Sequence, residues 1–130
     1  MLRTAVFVRR PLAQWSYGRV TLLGDSAHAM EPFQAQGAAQ AVEDAFVLAQ
    51  CLADDPDDVP AALRRYESIR LERAGELQSS SRTAAESFYL PDGEEQRRRD
   101  AAYVTLRETL PWGTRQPIWE HDVRTALSAR

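Results

Sequence analysis

Apolar residues fall into two kinds of run along this chain. Before residue 36 they form short continuous stretches; beyond it they recur at helical spacing. Residues 4–8 (TAVFV) are strand formers, closed by Arg9, Arg10 and Pro11, where proline removes a ladder donor. Residues 12–18 read as a connection whose Trp15 and Tyr17 lie over apolar surface. In residues 20–23 (VTLL) three of four side chains are aliphatic and none is charged. Such a run suits a strand buried on both faces, as in a parallel sheet. Gly24-Asp25 ends it, and residues 26–33 read as loop. From Gln36 to Leu52 the pattern predicts a helix. Ala41, Ala45, Leu48 and Leu52 share one face, with Val42, Phe46 and Ala49 beside them, a stripe wide enough for a largely buried helix.

The acidic stretch 54–58 (DDPDD) stops that helix and starts another. Asp57 or Asp58 is a suitable N-cap, and Pro60 falls in the first turn, where its missing N–H costs little. The second helix runs to about residue 87, with Leu63, Tyr66, Ile69, Arg73 and Leu77 along a loose amphipathic face. Leu90-Pro91-Asp92-Gly93 is a turn. A third helix is predicted over 94–108, with Ala102, Leu106 and Leu110 on one face. Residues 111–117 read as irregular, and a short helix follows over 119–127. Two strands cannot complete a parallel sheet. The missing neighbours must come from a longer parent chain, a second polypeptide or a dimer partner. Alone, the chain is expected to oligomerise, aggregate or stay partly molten.

Length and charge narrow the classes. The 130 residues suit one domain, and 44% hydrophobic content is ordinary for a globular protein. A net charge of -3 gives no general attraction for nucleic acid or an anionic membrane. One cysteine, Cys51, excludes an internal disulfide and a cysteine-cluster metal site. No stretch approaches a membrane span or a signal-peptide core. The expectation is a soluble cytoplasmic protein with no metal, nucleic-acid or membrane partner.

The candidate chemistry concentrates where the first long helix begins. Its first turn leaves backbone N–H groups without helical partners. Phe33, Gln34, Ala35 and Gln36 offer no good cap, and Gly37, Ala38 and Ala39 leave the backbone open to close approach. An uncapped start carries about half a positive charge and suits an anion or a polarised carbonyl. Water capping of a tightly packed turn is the other reading. Asp25 follows a strand directly, a place that faces the ligand crevice in open α/β sheets. It can accept hydrogen bonds from ribose-like hydroxyls, or serve only its own turn. His28 is a lone histidine, more often structural than catalytic. Ser26 lacks the flanking glycines of a nucleophile elbow. Cys51 reads as inert packing. Arg97, Arg98 and Arg99 read as a solvated helix face among acidic neighbours. No residue presents itself as a catalytic base.

Together, residues 18–45 resemble the Gly-Asp motif of the flavin-dependent aromatic hydroxylases, the single-component FAD monooxygenases that include salicylate hydroxylase-like enzymes. The carrying residues are GRVTLLGDSAH at 18–28, then Pro32, then Gln36-Gly37-Ala38, then Glu43-Asp44-Ala45. Tyr66-Glu67 through Arg70 and Arg73 resembles the long helix that follows this motif, and Trp119 with Asp122 the C-terminal end. The resemblance implies an α/β fragment, the C-terminal part of an FAD-binding Rossmann-like domain, mostly helical with one or two short strands. Residues 1–130 are then one portion, with the strand and motif at 18–45 and a helical remainder at 58–128.

The resemblance also implies roles. Asp25 would bond the ribityl or pyrophosphate region of FAD, with Gly24 before it among the cofactor-binding residues. Pro32 would pack beside the isoalloxazine ring. Gln36, Gly37 and Ala38 would face the flavin N1–C2 edge, where the helix dipole favours the negative charge of reduced flavin. The family commonly has glycine where this chain has Ala35, and alanine is tolerable unless that position needs positive φ. In the family NAD(P)H reduces the flavin, which then uses O2 to hydroxylate a small aromatic substrate; the cofactor supplies that chemistry. No G-x-G-x-x-G follows a first strand, so the adenine-dinucleotide cradle must lie in a missing N-terminal portion or a partner chain. Two readings compete: part of an FAD-dependent monooxygenase, or a non-catalytic remnant or helical interaction module that does not bind FAD alone.

Overall fold

The computed structural model describes residues 5–109 and 116–128. Two long helices dominate it. α2 (Gly37–Asp54) and α3 (Val59–Phe88) are joined by a four-residue acidic link and run antiparallel. Asp58 caps α3, its carboxylate accepting from the Ala61 N–H at 3.0 Å, and Pro60 sits in the first turn as expected. With 18 and 30 residues, the helices span roughly 27 and 45 Å at about 1.5 Å per residue. α3 therefore outruns α2 and reaches past its N-terminus to the loop before it.

In front of this pair lie a hairpin and a short helix. β1 (Ser16–Tyr17) and β2 (Val20–Thr21) pair antiparallel, Ser16 opposite Thr21 and Tyr17 opposite Val20. Gly18 provides the positive φ of 59° that this two-residue turn uses. The expected double-sided burial of 20–23 is not found. Val20 is exposed and Leu22 and Leu23 are half-buried, because the run pairs with its own upstream segment and no parallel neighbour is present among the described residues. The strand expected at 4–8 is also absent over residues 5–8. With nothing to pair against, Phe7 stands 84% exposed; Thr4 lies outside the described residues. Residues 26–33, read as loop, contain most of α1 (Asp25–His28) and a 3₁₀ turn at Pro32–Gln34.

The core joins Trp15, Ala27, Val47, Cys51, Ala62, Tyr66 and Ala74. Trp15 stacks at a tilt on both His28 and Tyr66, 5.5 and 5.9 Å between ring centroids. Glu67 accepts the backbone N–H groups of Trp15 and Ser16 at 2.9 and 2.5 Å, which fastens the hairpin to α3. α4 (Glu94–Thr109) follows a turn at Gly93, and Ala102, placed on its inner face by the sequence pattern, is exposed. Leu106 and Leu110 have side chains outside the described residues. Of the three arginines at its start, Arg99 is not simply solvated. It donates to the Ser87 carbonyl at 2.5 Å, where a cation suits a helix C-terminus. α5 (Gln116–Trp119) and α6 (Val123–Ser128) replace the single helix expected at 119–127; Gln116 and Pro117 are helical rather than irregular, and 111–115 lie outside the described residues. Val123 and Leu127 of α6 pack on the core.

Candidate functional site

The N-terminus of α2 is free of side-chain caps. Gln36 occupies the N-cap position and makes no capping bond. Gln36 is buried, Gly37 half-buried, and Ala38 and Ala39 exposed. The Asp25 residue faces this tip: a Cβ built on Gly37 would lie 3.9 Å from Asp25 Oδ1 and 3.9 Å from Met30 Cγ. Gly37 does not have positive φ, and that Cβ would make ordinary contacts only. Glycine here is not demanded by the fold; it leaves open the space between carboxylate and backbone. Asp25 itself is exposed, and its carbonyl accepts from Arg9 at 3.2 Å.

Gly24 is demanded by the fold. Its φ of 59° with ψ of -137° is a glycine conformation, and a Cβ there would meet Ala41 Cβ at 3.2 Å. This close approach seats the start of α1 on α2. Pro32 is exposed and opens the 3₁₀ turn. That turn ends at Ala35, with φ 55° and ψ 33°, the left-handed region. The departure from glycine at this position thus carries real strain, about 1–2 kcal/mol for a residue with Cβ. The loop is held from behind by the overhang of α3. Gln78 donates to the Ala29 carbonyl at 2.8 Å, Ser81 to the Glu31 carbonyl at 2.6 Å, and Ser80 to Gln34 Oε1 at 3.1 Å. Gly24, Asp25, Gln36, Gly37 and Ala38 are therefore gathered around one end of α2, with Pro32 on the adjoining turn.

Beneath them lies a charged network that the apolar pattern missed. The buried face of α2 is Gln40, Asp44, Val47 and Cys51, not the Ala41–Ala45 stripe; Ala45, Ala49, Val42 and Phe46 face outward. Asp44 Oδ2 accepts from Gly24 N–H at 3.0 Å and bonds His28 Nε2 at 2.6 Å. Asp44 Oδ1 accepts from Arg70 Nε at 2.8 Å. Arg70 also donates to Glu43 Oε2 at 2.5 Å and Gln40 Oε1 at 2.6 Å, and Arg73 Nε to Glu43 Oε2 at 3.0 Å. Asp44, Arg70 and Gln40 are fully buried, where charges persist only when paired. The sequence did hold a signal. Arg70 sits between Tyr66 and Ala74 at helical core spacing, so it required an acid on the facing helix.

Burial pushes the Asp44 carboxyl up, but hydrogen bonds from His28, Arg70 and Gly24 outweigh it and hold it below its ordinary 3.8. Glu43 follows the same pattern: burial opposes, Arg73 and Arg70 win, and the carboxyl lies below its ordinary 4.5. Burial, then the charge of Asp44, raises the Tyr66 hydroxyl, which stays protonated and donates to the Leu22 carbonyl at 3.1 Å. Burial also raises the Cys51 thiol, in keeping with inert packing. Ser26 Oγ is occupied by the Leu23 backbone at 2.7 and 3.1 Å, the geometry of a turn rather than a nucleophile. Among the described residues, no three His, Cys, Asp or Glu side chains stand together as a metal site, and no helix is long and apolar enough to cross a membrane. An open cleft lined by Asp54, Asp55, Ala61, Ala62 and Arg65 lies at the opposite end of α2 and touches none of these residues.

Comparison with known proteins follows this geometry. A family profile described as FAD binding domain matches residues 2–81. The 3-amino-4-hydroxybenzoate 2-monooxygenase PtmB3 of Streptomyces platensis is 50% identical over 101 residues, 78% of this chain and 26% of that protein. The 3-hydroxybenzoate 6-hydroxylase of Polaromonas naphthalenivorans (strain CJ2) is 40% identical over 87 residues, 67% of this chain and 22% of that one. A salicylate hydroxylase solved with substrate superposes with a TM-score of 0.72 at 36% identity, over 91% of this chain and 28% of its own. The chain thus spans about a quarter of the length of these relatives.

Proposed function

This chain belongs to the FAD binding domain family, and from that membership we propose that it forms the flavin-facing portion of an FAD-dependent aromatic monooxygenase. In this reading the complete enzyme hydroxylates a small aromatic substrate with NAD(P)H and O2. The missing adenine-dinucleotide cradle and substrate walls come from an N-terminal portion or a partner chain. The relatives named above act, by their names, on hydroxybenzoates and supply the reaction class.

The observation that carries the reading is the uncapped tip of α2 with the Asp25 residue beside Gly37. The donors and acceptors there suit FAD. A carboxylate accepts only, so Asp25 takes hydroxyl donors of the ribityl chain. The bare N–H groups of Gly37 and Ala38 donate only, so they take the carbonyl edge of the ring, and the helix dipole favours negative charge there. Gln36 and Gly24 set the backbone on either side, and Pro32 borders the ring. Bound FAD supplies the electron transfer and oxygen chemistry; these residues orient it and bias its charge. The proposed location is cytoplasmic.

The test is an FAD titration of the 130-residue chain, alone and joined to the N-terminal portion its relatives carry. The chain alone is expected to bind weakly or not at all, and the joined protein to bind one flavin. Should the joined protein stay colourless, the alternative reading stands: a helical module that kept the motif as scaffold.

A further inference from the structure

We propose that Asp44 is a positioning residue for the flavin-facing edge: by bonding both ends of α1 it fixes where Asp25 stands in front of α2. The inference rests on the flavin reading above. Gly24 is the N-cap of α1 and His28 its last residue. Asp44 Oδ2 takes the Gly24 N–H at 3.0 Å and His28 Nε2 at 2.6 Å. One carboxylate oxygen therefore holds a four-residue helix at its two ends. A helix that short has no cooperative stability of its own, so its orientation is set by what it is bonded to. Its inner residues, Ala27 and His28, are buried; its outer residues, Asp25 and Ser26, are exposed. Anchoring the inner half places the outer carboxylate.

The other oxygen extends the clamp to α3. Asp44 Oδ1 takes Arg70 Nε at 2.8 Å, while the rest of the same guanidinium reaches Glu43 Oε2 and Gln40 Oε1. The planar fork thus fixes the rotation of α2 about its axis. Rotation of α2 and orientation of α1 together decide the separation of Asp25 from Gly37. Misplacement of a binding group by about 1 Å is enough to cost large factors in a positioned reaction. Asp44 is fully buried, so it acts through the groups it bonds: Gly24, His28 and Arg70.

The experiment compares Asp44→Asn with Cys51→Ala in the complete flavoprotein that carries this chain. Cys51 is buried on the same face of α2, two turns away and outside the network. Three quantities are read: the FAD dissociation constant, amide exchange of residues 24–28, and the unfolding temperature. Asp44→Asn is expected to weaken FAD at least ten-fold and to speed exchange at 24–28 at least ten-fold. Cys51→Ala is expected to lower the unfolding temperature while leaving both other quantities at parent values. If Asp44→Asn does not fold, Arg70→Lys, which keeps the charge and loses the fork, is read in the same way. An Asp44→Asn protein that binds FAD like the parent, or weakens it no more than Cys51→Ala does, overturns the proposal. A parent that binds no FAD overturns the flavin reading instead; exchange at 24–28 then decides the clamp, faster in Asp44→Asn supporting it and equal rates overturning it.

Discussion

The two faces of α2 reverse the usual order. Its inner face carries Gln40 and Asp44, both at 0% exposure, while its outer face shows Val42 at 70% and Phe46 at 45%. On the inner side, every charge is answered by a partner from another element: Gly24, His28, Arg70 and Arg73. On the outer side, apolar surface is left for something else to cover, which fits a chain spanning about a quarter of its relatives. Buried charge here specifies geometry; the exposed apolar area is covered by nothing among the described residues.

Breaking the inner face has the largest expected effect. Arg70→Ala leaves Asp44 buried without its guanidinium partner and takes from half-buried Glu43 one of its two arginines, at a cost of about 3–5 kcal/mol measured by denaturant unfolding. The same variant changes the pH profile. Both carboxyls are held below their ordinary 3.8 and 4.5, so the folded state binds fewer protons than the unfolded one. Their contribution is full above those ordinary values and is lost as pH falls through the depressed ones. Arg70→Ala is expected to flatten that acid limb.

The strain at Ala35 is a smaller quantity. Ala35→Gly relieves a left-handed alanine worth about 1–2 kcal/mol and adds back about 0.4–1 kcal/mol of chain entropy. The net expectation is a stabilisation of about 0.5–1 kcal/mol, read as a rise of a few degrees in thermal unfolding. A fall would mean the loop does not hold the left-handed conformation.

The outer face is expected to respond least in stability. Val42→Ser with Phe46→Ser changes unfolding free energy by no more than about 0.5 kcal/mol per site, as for exposed positions generally. The effect shows instead in sedimentation, where the double variant self-associates less than the parent. A double variant that unfolds would place these side chains in a core and undo the comparison.

The helices were legible because their punctuation is local. Asp58, Pro60 and Gly93 mark boundaries by their own chemistry. The predicted helix 36–52, the one capped by Asp57 or Asp58 and ending near 87, and the one over 94–108 fall close to α2, α3 and α4. The buried face of α2 was not legible from hydrophobicity, because Asp44 counts as polar in any pattern and becomes interior only through Arg70, 26 residues on. The hairpin was missed for a related reason. Tyr17-Gly18-Arg19-Val20 is a two-residue turn with a glycine at the position of positive φ, but the aliphatic run after it suggested a parallel strand. The uncapped tip was readable directly, since capping is a property of four or five adjacent residues.

The most direct test follows backbone amide exchange at Gly37, Ala38 and Ala39 in this chain joined to the N-terminal portion its relatives carry, with and without FAD. Slowed exchange at these three amides on binding, with α4 unchanged, is the expected result. Flavin bound with full occupancy while those amides exchange at the same rate as before would contradict a flavin-facing helix tip.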